Sequence, residues 1–267
     1  MTPRRLIAES IAFAYRQGRD VLRDVSLSVR AGETLFVLGA NGGGKTTLLD
    51  CLAGLRVPRS GRVLLDGDPI DRLTAGERAK RIGLVPQIHE PVFDYTVGEV
   101  VLMGRTPHLG LFARPGRRDG AAVDRALDAV GLRSLRDHVY TAISGGERQL
   151  ALIARGLAQG AACLLMDEPA AHLDPRHQYE VFEIVTRLAS EGFSFVVASH
   201  QPNHALLYAD RAAFLVGGRI ETVGPPADVV TEETLQSAYG LEFEVVRGRV
   251  GARAVLPRGV RAQDGSR

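Results

Sequence analysis

Hydrophobic and polar positions follow a strand-like rhythm first. Ser10-Ile11-Ala12-Phe13 and Val25-Ser26-Leu27-Ser28-Val29 are short β-rich runs. Thr34-Leu35-Phe36-Val37-Leu38 is continuously apolar, the pattern of a strand covered on both faces. A glycine-rich turn follows, and then Thr46 to Ala53 carries apolar residues at helical spacing. Arg62 to Gly67 predicts a strand ending in a turn, and Ile82 to Gln87 predicts another. From about residue 90 to 158 the rhythm is helical: Val97 to Gly104, Gly120 to Val130 and Gly145 to Gln159, with no strong strand between them. This predicts a helical insertion in an α/β domain. Ala162 to Met166 and Phe193 to Ala198 are apolar runs of strand length, and Pro175 to Leu188 between them is helical. That order predicts a βαβ unit with parallel strands. Ala212 to Val216, Gly217-Gly218 and Arg219 to Val223 read as a hairpin. The expected organisation is one domain over residues 1–246. An Arg/Gly-rich tail over 247–267 is expected to be mobile.

Composition narrows the class. The chain has 267 residues, 45% hydrophobic and 24% charged, close to an average soluble globular protein and long enough for a sizeable core. No apolar run approaches the ~20 residues needed to span a bilayer, and the start at Met1 to Glu9 has no apolar signal segment. Cys51 and Cys163 each lie in an apolar stretch and read as buried thiols, not a disulfide framework, so cytosolic residence is expected. Basic and acidic residues number 33 and 31 with no dense Lys/Arg block, so no nucleic-acid partner is expected. The basic residues are nearly all arginine; the two lysines are Lys45 and Lys80. Each lysine kept in such a background is a candidate for a position where arginine cannot substitute. Lys80 lies in Glu77-Arg78-Ala79-Lys80-Arg81, expected as a charged surface turn where arginine would serve, which leaves Lys45.

Lys45 lies in Gly39-Ala40-Asn41-Gly42-Gly43-Gly44-Lys45-Thr46, which fits G-x-x-x-x-G-K-[ST] between a predicted strand and a predicted helix. Glycines let the backbone turn N–H groups towards phosphates, and the helix N-terminus adds the positive end of its dipole. Lys45 supplies a compact charge, and Thr46 a hydroxyl for Mg²⁺. This chain's own composition gives only about 0.002 chance matches to the motif. Thr47 completes the set of candidate nucleotide-binding residues in the loop.

Cys163-Leu164-Leu165-Met166-Asp167-Glu168 is an apolar strand ending in two carboxylates, expected to emerge beside the phosphate loop. An Asp there can hold Mg²⁺, and a Glu one residue on can orient or deprotonate an attacking water. Ser144-Gly145-Gly146-Glu147 is a capping box that opens a helix. Two glycines in a first helical turn cost roughly 1 kcal/mol each against alanine, whereas exposed amides there would suit an anion. His200 ends the strand Phe195 to Ser199, from which it can reach a γ-phosphate. Gln87 similarly ends its strand and can touch Mg²⁺ or water.

Taken together and in this order, these motifs resemble the nucleotide-binding subunits of ABC transporters, to about Val246. The resemblance implies a P-loop ABC ATPase core: a mixed sheet with flanking helices, an N-terminal antiparallel β subdomain and an α-helical subdomain at about 90–158. It implies that Tyr15 stacks on adenine and that Gly39, Asn41, Gly42, Gly43, Gly44, Lys45, Thr46 and Thr47 hold ATP. Thr46, Gln87 and Asp167 would serve Mg²⁺. Glu168 would be the catalytic base, assisted by His200, Gln87 and Lys45. Ser144, Gly145 and Gly146 would close over ATP held by a second copy, with Leu173-Asp174 lining that interface, so the expected partner is a second ATPase subunit in a head-to-tail homodimer.

Thr96 to Phe112 and Ser199-His200-Gln201-Pro202-Asn203-His204-Ala205 are similar to the ATPases of metal-chelate importers for iron–siderophore, haem or cobalamin. Some such systems carry molybdate or tungstate, which stands as the alternative. Gln201 where Asp is commoner, Ala170 where Thr or Ser is usual, and Gly43 where Ser or Ala is usual depart from the pattern without removing a phosphate, Mg²⁺ or base function. The further implied partners are integral membrane permease subunits and, indirectly, a periplasmic or surface substrate-binding protein. The implied place is the cytoplasmic face of the membrane, with the segment after Gln87 docking on the permease. The rival class is a soluble, non-transport ABC ATPase. Its members carry long coiled coils or tandem cassettes, or lack the segment 96–112.

Overall fold

The computed structural model describes residues 6–15, 18, 20–87, 93–110, 113–248 and 253–258. The chain opens with β1 (Leu6–Ala14), β2 (Asp20–Val29), β3 (Thr34–Leu38), α1 (Lys45–Leu52), β4 (Ser60–Leu65), β5 (Asp68–Pro69), α2 (Ala75–Ala79) and β6 (Ile82–Val85). The helical stretch is α3 (Val97–Leu102), α4 (Arg117–Ala129) and α5 (Gly145–Ala158), with a 3₁₀ turn at Met103–His108. There follow β7 (Cys163–Asp167), α6 (Pro175–Ser190), β8 (Ser194–Ser199), α7 (Pro202–Tyr208), β9 (Arg211–Val216) and β10 (Arg219–Gly224). The last elements are α8 (Pro226–Val229), α9 (Glu232–Tyr239), β11 (Phe243–Arg247) and β12 (Arg253–Pro257).

The central sheet has the order β10-β9-β3-β8-β7-β6. It is parallel from β9 to β6, and β10 turns back antiparallel. A second, antiparallel sheet has the order β2-β1-β4-β5. The continuous apolar run of β3 has its reason here. Phe36 and Leu38 enter the core on the side of the helical insertion, while Leu35 and Val37 enter the core under α1 and the antiparallel sheet. Strand β8 divides the same way, with Phe195 and Val197 on one face and Val196 and Ala198 on the other. Because both faces are covered, polar alternation is absent from both strands.

Helix α5 connects the insertion to the sheet, and its buried face runs from Gly146 to Ala158. Gly156 lets it come close: a Cβ there would lie 2.3 Å from Leu164 Cδ2. The βαβ unit of β7, α6 and β8 and the β9–β10 hairpin form as the pattern predicts.

Strand β8 lies between β3 and β7, yet the end of β7 emerges beside the loop that follows β3, as expected. Two expectations need correction. The charged stretch Glu77 to Arg81, expected as a surface turn, begins inside a short helix, α2, whose first turn is closed by a Thr74–Glu77 capping box and whose C-cap is Lys80. The tail expected to be mobile contains β12, which pairs antiparallel with β11 and buries Val255. The consecutive apolar residues Ala254, Val255 and Leu256 are a short strand run that the surrounding Arg and Gly obscure. Residues 249–252 and 259–267 of that tail lie outside the described residues, as do Leu111 and Phe112 and residues 90–92 of the insertion. Among the described residues no helix is long and apolar enough to cross a membrane.

Candidate functional site

The loop from β3 to α1 wraps tightly because glycine permits two contacts that a side chain would block. A Cβ on Gly39 would stand 2.5 Å from the carbonyl oxygen of Leu215. Gly44, the residue before α1, has φ of 99° and a Cβ there would press on Val21. The Lys45 side chain is 6% exposed and folds back over the loop. Its Nζ donates to the carbonyls of Gly39 at 2.9 Å and Ala40 at 3.1 Å, and lies 3.5 Å from Glu168 Oε1.

Thr46 Oγ1 donates to Asp167 Oδ2 at 2.7 Å, so the end of β7 reaches the loop across the intervening strand. Burial pushes the Asp167 carboxyl above its ordinary range. The Thr46 hydroxyl pulls the other way, and the Glu168 charge adds to the rise. Glu168 itself has φ of 48°. Non-glycine residues hold such a conformation at a cost of order 1–3 kcal/mol, and here the Glu168 N–H donates to the Ala198 carbonyl at 3.0 Å. The Glu168 side chain is 11% exposed. Its Oε2 accepts from His200 Nδ1 at 2.8 Å, while Oε1 has no hydrogen-bond partner among the described residues.

Tyr15 closes the far end. Its hydroxyl lies 3.1 Å from Thr47 Oγ1, its ring stands edge-on to Phe13, and the Arg56 guanidinium sits 4.8 Å from the ring centroid. Asp50 holds that guanidinium at 2.8 Å.

Together these side chains bound one open cleft of about 730 Å³, within the ~300–1,000 Å³ of small-molecule sites. Tyr15, Asn41, Gly42, Gly44, Lys45, Thr46, Thr47, Gln87, Asp167, Glu168 and His200 border it, and Gly39 and Gly43 shape its loop. Val21, Ala171, His172 and Gln201 border it too, and sequence reasoning gave none of them a role. Their signal was position, since His172 and Gln201 lie one to four residues from the assigned Glu168, Leu173 and His200.

Ser144, Gly145 and Gly146 do not border this cleft. They form the start of α5, where Ser144 Oγ accepts from the Glu147 N–H at 3.2 Å and Glu147 Oε2 accepts from the Ser144 N–H at 2.7 Å. Gly145 is exposed and Gly146 is buried against His177. Leu173 and Asp174 adjoin the same helix start. Asp174 caps α6 by accepting from the His177 N–H at 3.0 Å, and its other oxygen holds His177 Nδ1 at 2.7 Å.

Among the described residues there is no cluster of three or more His, Cys, Asp or Glu arranged for a metal. Mg²⁺ needs none, since it commonly takes one or two protein oxygens together with phosphate and water. The hard oxygens of Thr46 and Asp167, with Gln87 on the same cleft, fit that ion.

Comparison with known proteins gives the same picture. The sequence profile of the ABC transporter family matches residues 22–171. The chain is 42% identical over 256 residues to the hemin import ATP-binding protein of Rhodococcus jostii (strain RHA1), covering 95% of this chain and 86% of that one. It is 37% identical to the ferric enterobactin transport ATP-binding protein of Escherichia coli (strain K12), covering 96% and 94%. It is 41% identical to a cobalamin import ATP-binding protein of Halobacterium salinarum (strain ATCC 29341 / DSM 671 / R1), covering 90% of this chain and spanning 60% of that longer relative. A solved inward-facing metal-chelate type ABC transporter superposes with a TM-score of 0.84 at 31% identity, covering 95% of this chain and 97% of that one. The phosphate loop, the carboxylate pair and these relatives converge: the chain belongs to the ATP-binding subunits of the ABC transporter family, which bind ATP and hydrolyse it to power transport.

Proposed function

We propose that this chain is the ATP-hydrolysing subunit of an importer for a metal chelate such as an iron–siderophore, haem or cobalamin. It works at the cytoplasmic face of the membrane with separate permease subunits. The relatives named for hemin, ferric enterobactin and cobalamin import support the substrate class. The observation that carries the catalytic reading is Glu168: a buried carboxylate at the cleft with one oxygen held by His200 and the other without a hydrogen-bond partner. That second oxygen is ion-paired with Lys45 at 3.5 Å, and it becomes the acceptor a water nucleophile requires once Lys45 turns to the phosphates.

In this reading Lys45 leaves the Gly39 and Ala40 carbonyls for the β- and γ-phosphates, and the loop amides hold the same oxygens. Tyr15 stacks on adenine. Thr46, Asp167 and Gln87 hold Mg²⁺, which when bound neutralises charge on the phosphate oxygens. Glu168 takes a proton from the attacking water, and His200, oriented through Nδ1, faces the γ-phosphate. Ser144, Gly145 and Gly146 lie away from the cleft and act across a head-to-tail dimer, covering ATP held by the second copy. Leu55 and Met103, exposed at 63% and 38%, border an open groove between the core and the helical insertion, an apolar face suited to a permease.

The test is ATP-dependent uptake in proteoliposomes, using a permease and binding protein encoded beside this chain. Haem, a ferric siderophore and cobalamin are supplied in turn. Uptake of one of them, lost with Glu168→Gln, is expected. Uptake that persists with that variant would contradict the proposed base.

A further inference from the structure

Gln178, on α6, is bonded on both ends of its amide. Nε2 donates to the carbonyls of Leu173 at 2.9 Å and Ala170 at 3.3 Å, both in the segment that joins Glu168 to α6. Oε1 lies 3.2 Å from Nε2 of His204, on α7, the helix that begins just after His200. The two amide hydrogens are committed to backbone carbonyls, and the amide oxygen can only accept. His204 Nε2 must therefore carry a proton. Burial lowers the His204 pKa, as does the charge of His200, which favours the neutral ring, and the bond to Gln178 places its one proton on Nε2. The ring is fixed by packing: its centroid lies 4.9 Å from that of Phe182, which stacks on Tyr208.

The segment that Gln178 grips is one that needs holding. Glu168 and His172 have φ of 48° and 66°, left-handed conformations that non-glycine residues keep only where the surroundings impose them. Neither Gln178 nor His204 borders the nucleotide cleft. Their bond instead spans from the Glu168 segment to the helix behind His200.

We propose that Gln178 and His204 are a positioning pair. They tie segment 170–174 to the turn that carries His200, so that Glu168 and His200 meet at 2.8 Å when that segment is seated. The proposal rests on the reading of Glu168 and His200 as the hydrolytic pair. It adds that the state of the segment bearing Leu173 and Asp174, the proposed dimer interface, reaches His200 through one side-chain bond.

The experiment is steady-state ATP hydrolysis by the full chain, with Glu168→Gln run in parallel. Gln178→Leu and His204→Leu should each lower kcat about tenfold while ATP KM stays within about twofold, the size of one lost buried hydrogen bond felt in the chemical step. His204→Gln offers an amide N–H to the same oxygen and should recover kcat to within about twofold of the parent. The double variant should be no worse than the worse single, because both remove the same bond. Equal loss with His204→Leu and His204→Gln would overturn the proposal, and so would multiplying losses or single variants within about twofold of the parent. Those results with Glu168→Gln inactive would overturn this pair alone. A Glu168→Gln chain that still turns over would overturn the underlying reading as well.

Discussion

Gly146 carries two demands that a single methyl group can separate. A Cβ at this position would lie 2.3 Å from Cδ2, 2.7 Å from Cγ and 2.8 Å from Cβ of His177. These are not the tip of a mobile side chain, so Gly146→Ala must displace the ring at its base. Overpacking of this kind costs about 1–3 kcal/mol. Moving the ring also breaks the 2.7 Å bond from His177 Nδ1 to Asp174. Asp174 is 57% exposed, so water replaces much of that bond and about 1 kcal/mol is a fair loss. Alanine recovers roughly 1 kcal/mol of helix propensity. The net destabilisation is therefore about 1–3 kcal/mol, which in a chain of this size lowers the thermal midpoint by roughly 2–10 °C.

The assay is thermal unfolding followed by circular dichroism. Gly145→Ala is the control. Its new Cβ would meet Leu173 Cδ2 at 3.3 Å, so it should unfold within about 2 °C of the parent. Adding His177→Ala to Gly146→Ala removes the ring contacts but keeps the tight Cβ contact, so about half the loss should return. A Gly146→Ala chain as stable as Gly145→Ala, or no recovery on removing the His177 ring, would refute the packing argument. Gly146 would then be glycine for the partner's nucleotide alone.

Two further predictions follow from burial. Lys45→Arg places a wider, planar cation where a slim ammonium fits between the Gly39 and Ala40 carbonyls and Glu168, so hydrolysis should fall at least about tenfold. The exposed Lys80→Arg should be silent in the same phosphate-release assay. Burial pushes the thiols of Cys51 and Cys163 up to about 11 and about 12 from 9.0, so neither should react with a maleimide at neutral pH until the chain unfolds. The sign of the linkage is that the unfolded chain ionises first. The thiols' contribution to stability is thus intact below pH 9 and falls as pH rises from 9 towards 11 and 12, which denaturant midpoints across that range should register.

Local chemistry was the legible part of this molecule. The glycine-rich loop, the capping box at Ser144 to Glu147 and the two-sided burial of β3 each follow from residues within a few positions of one another. Contacts between distant segments were not legible. Gly146 packs on His177, Gln178 bonds to His204, and β8 lies between β3 and β7. Each depends on how the sheet orders its strands, which the alternation of elements leaves open. The C-terminal strand was missed for a different reason. Its few apolar residues sit among arginines and glycines, which hide the strand pattern.

The most direct measurement of the central claim is ATP turnover by Glu168→Gln, set beside ATP-induced dimerisation of the same variant. Loss of a general base predicts a fall in turnover of at least about 100-fold. Nucleotide binding and dimerisation should be retained, since Lys45, Thr46 and the loop that shape the cleft remain in place. Turnover within a few-fold of the parent would contradict the account, because the Glu168 carboxylate would then not be where the water gives up its proton.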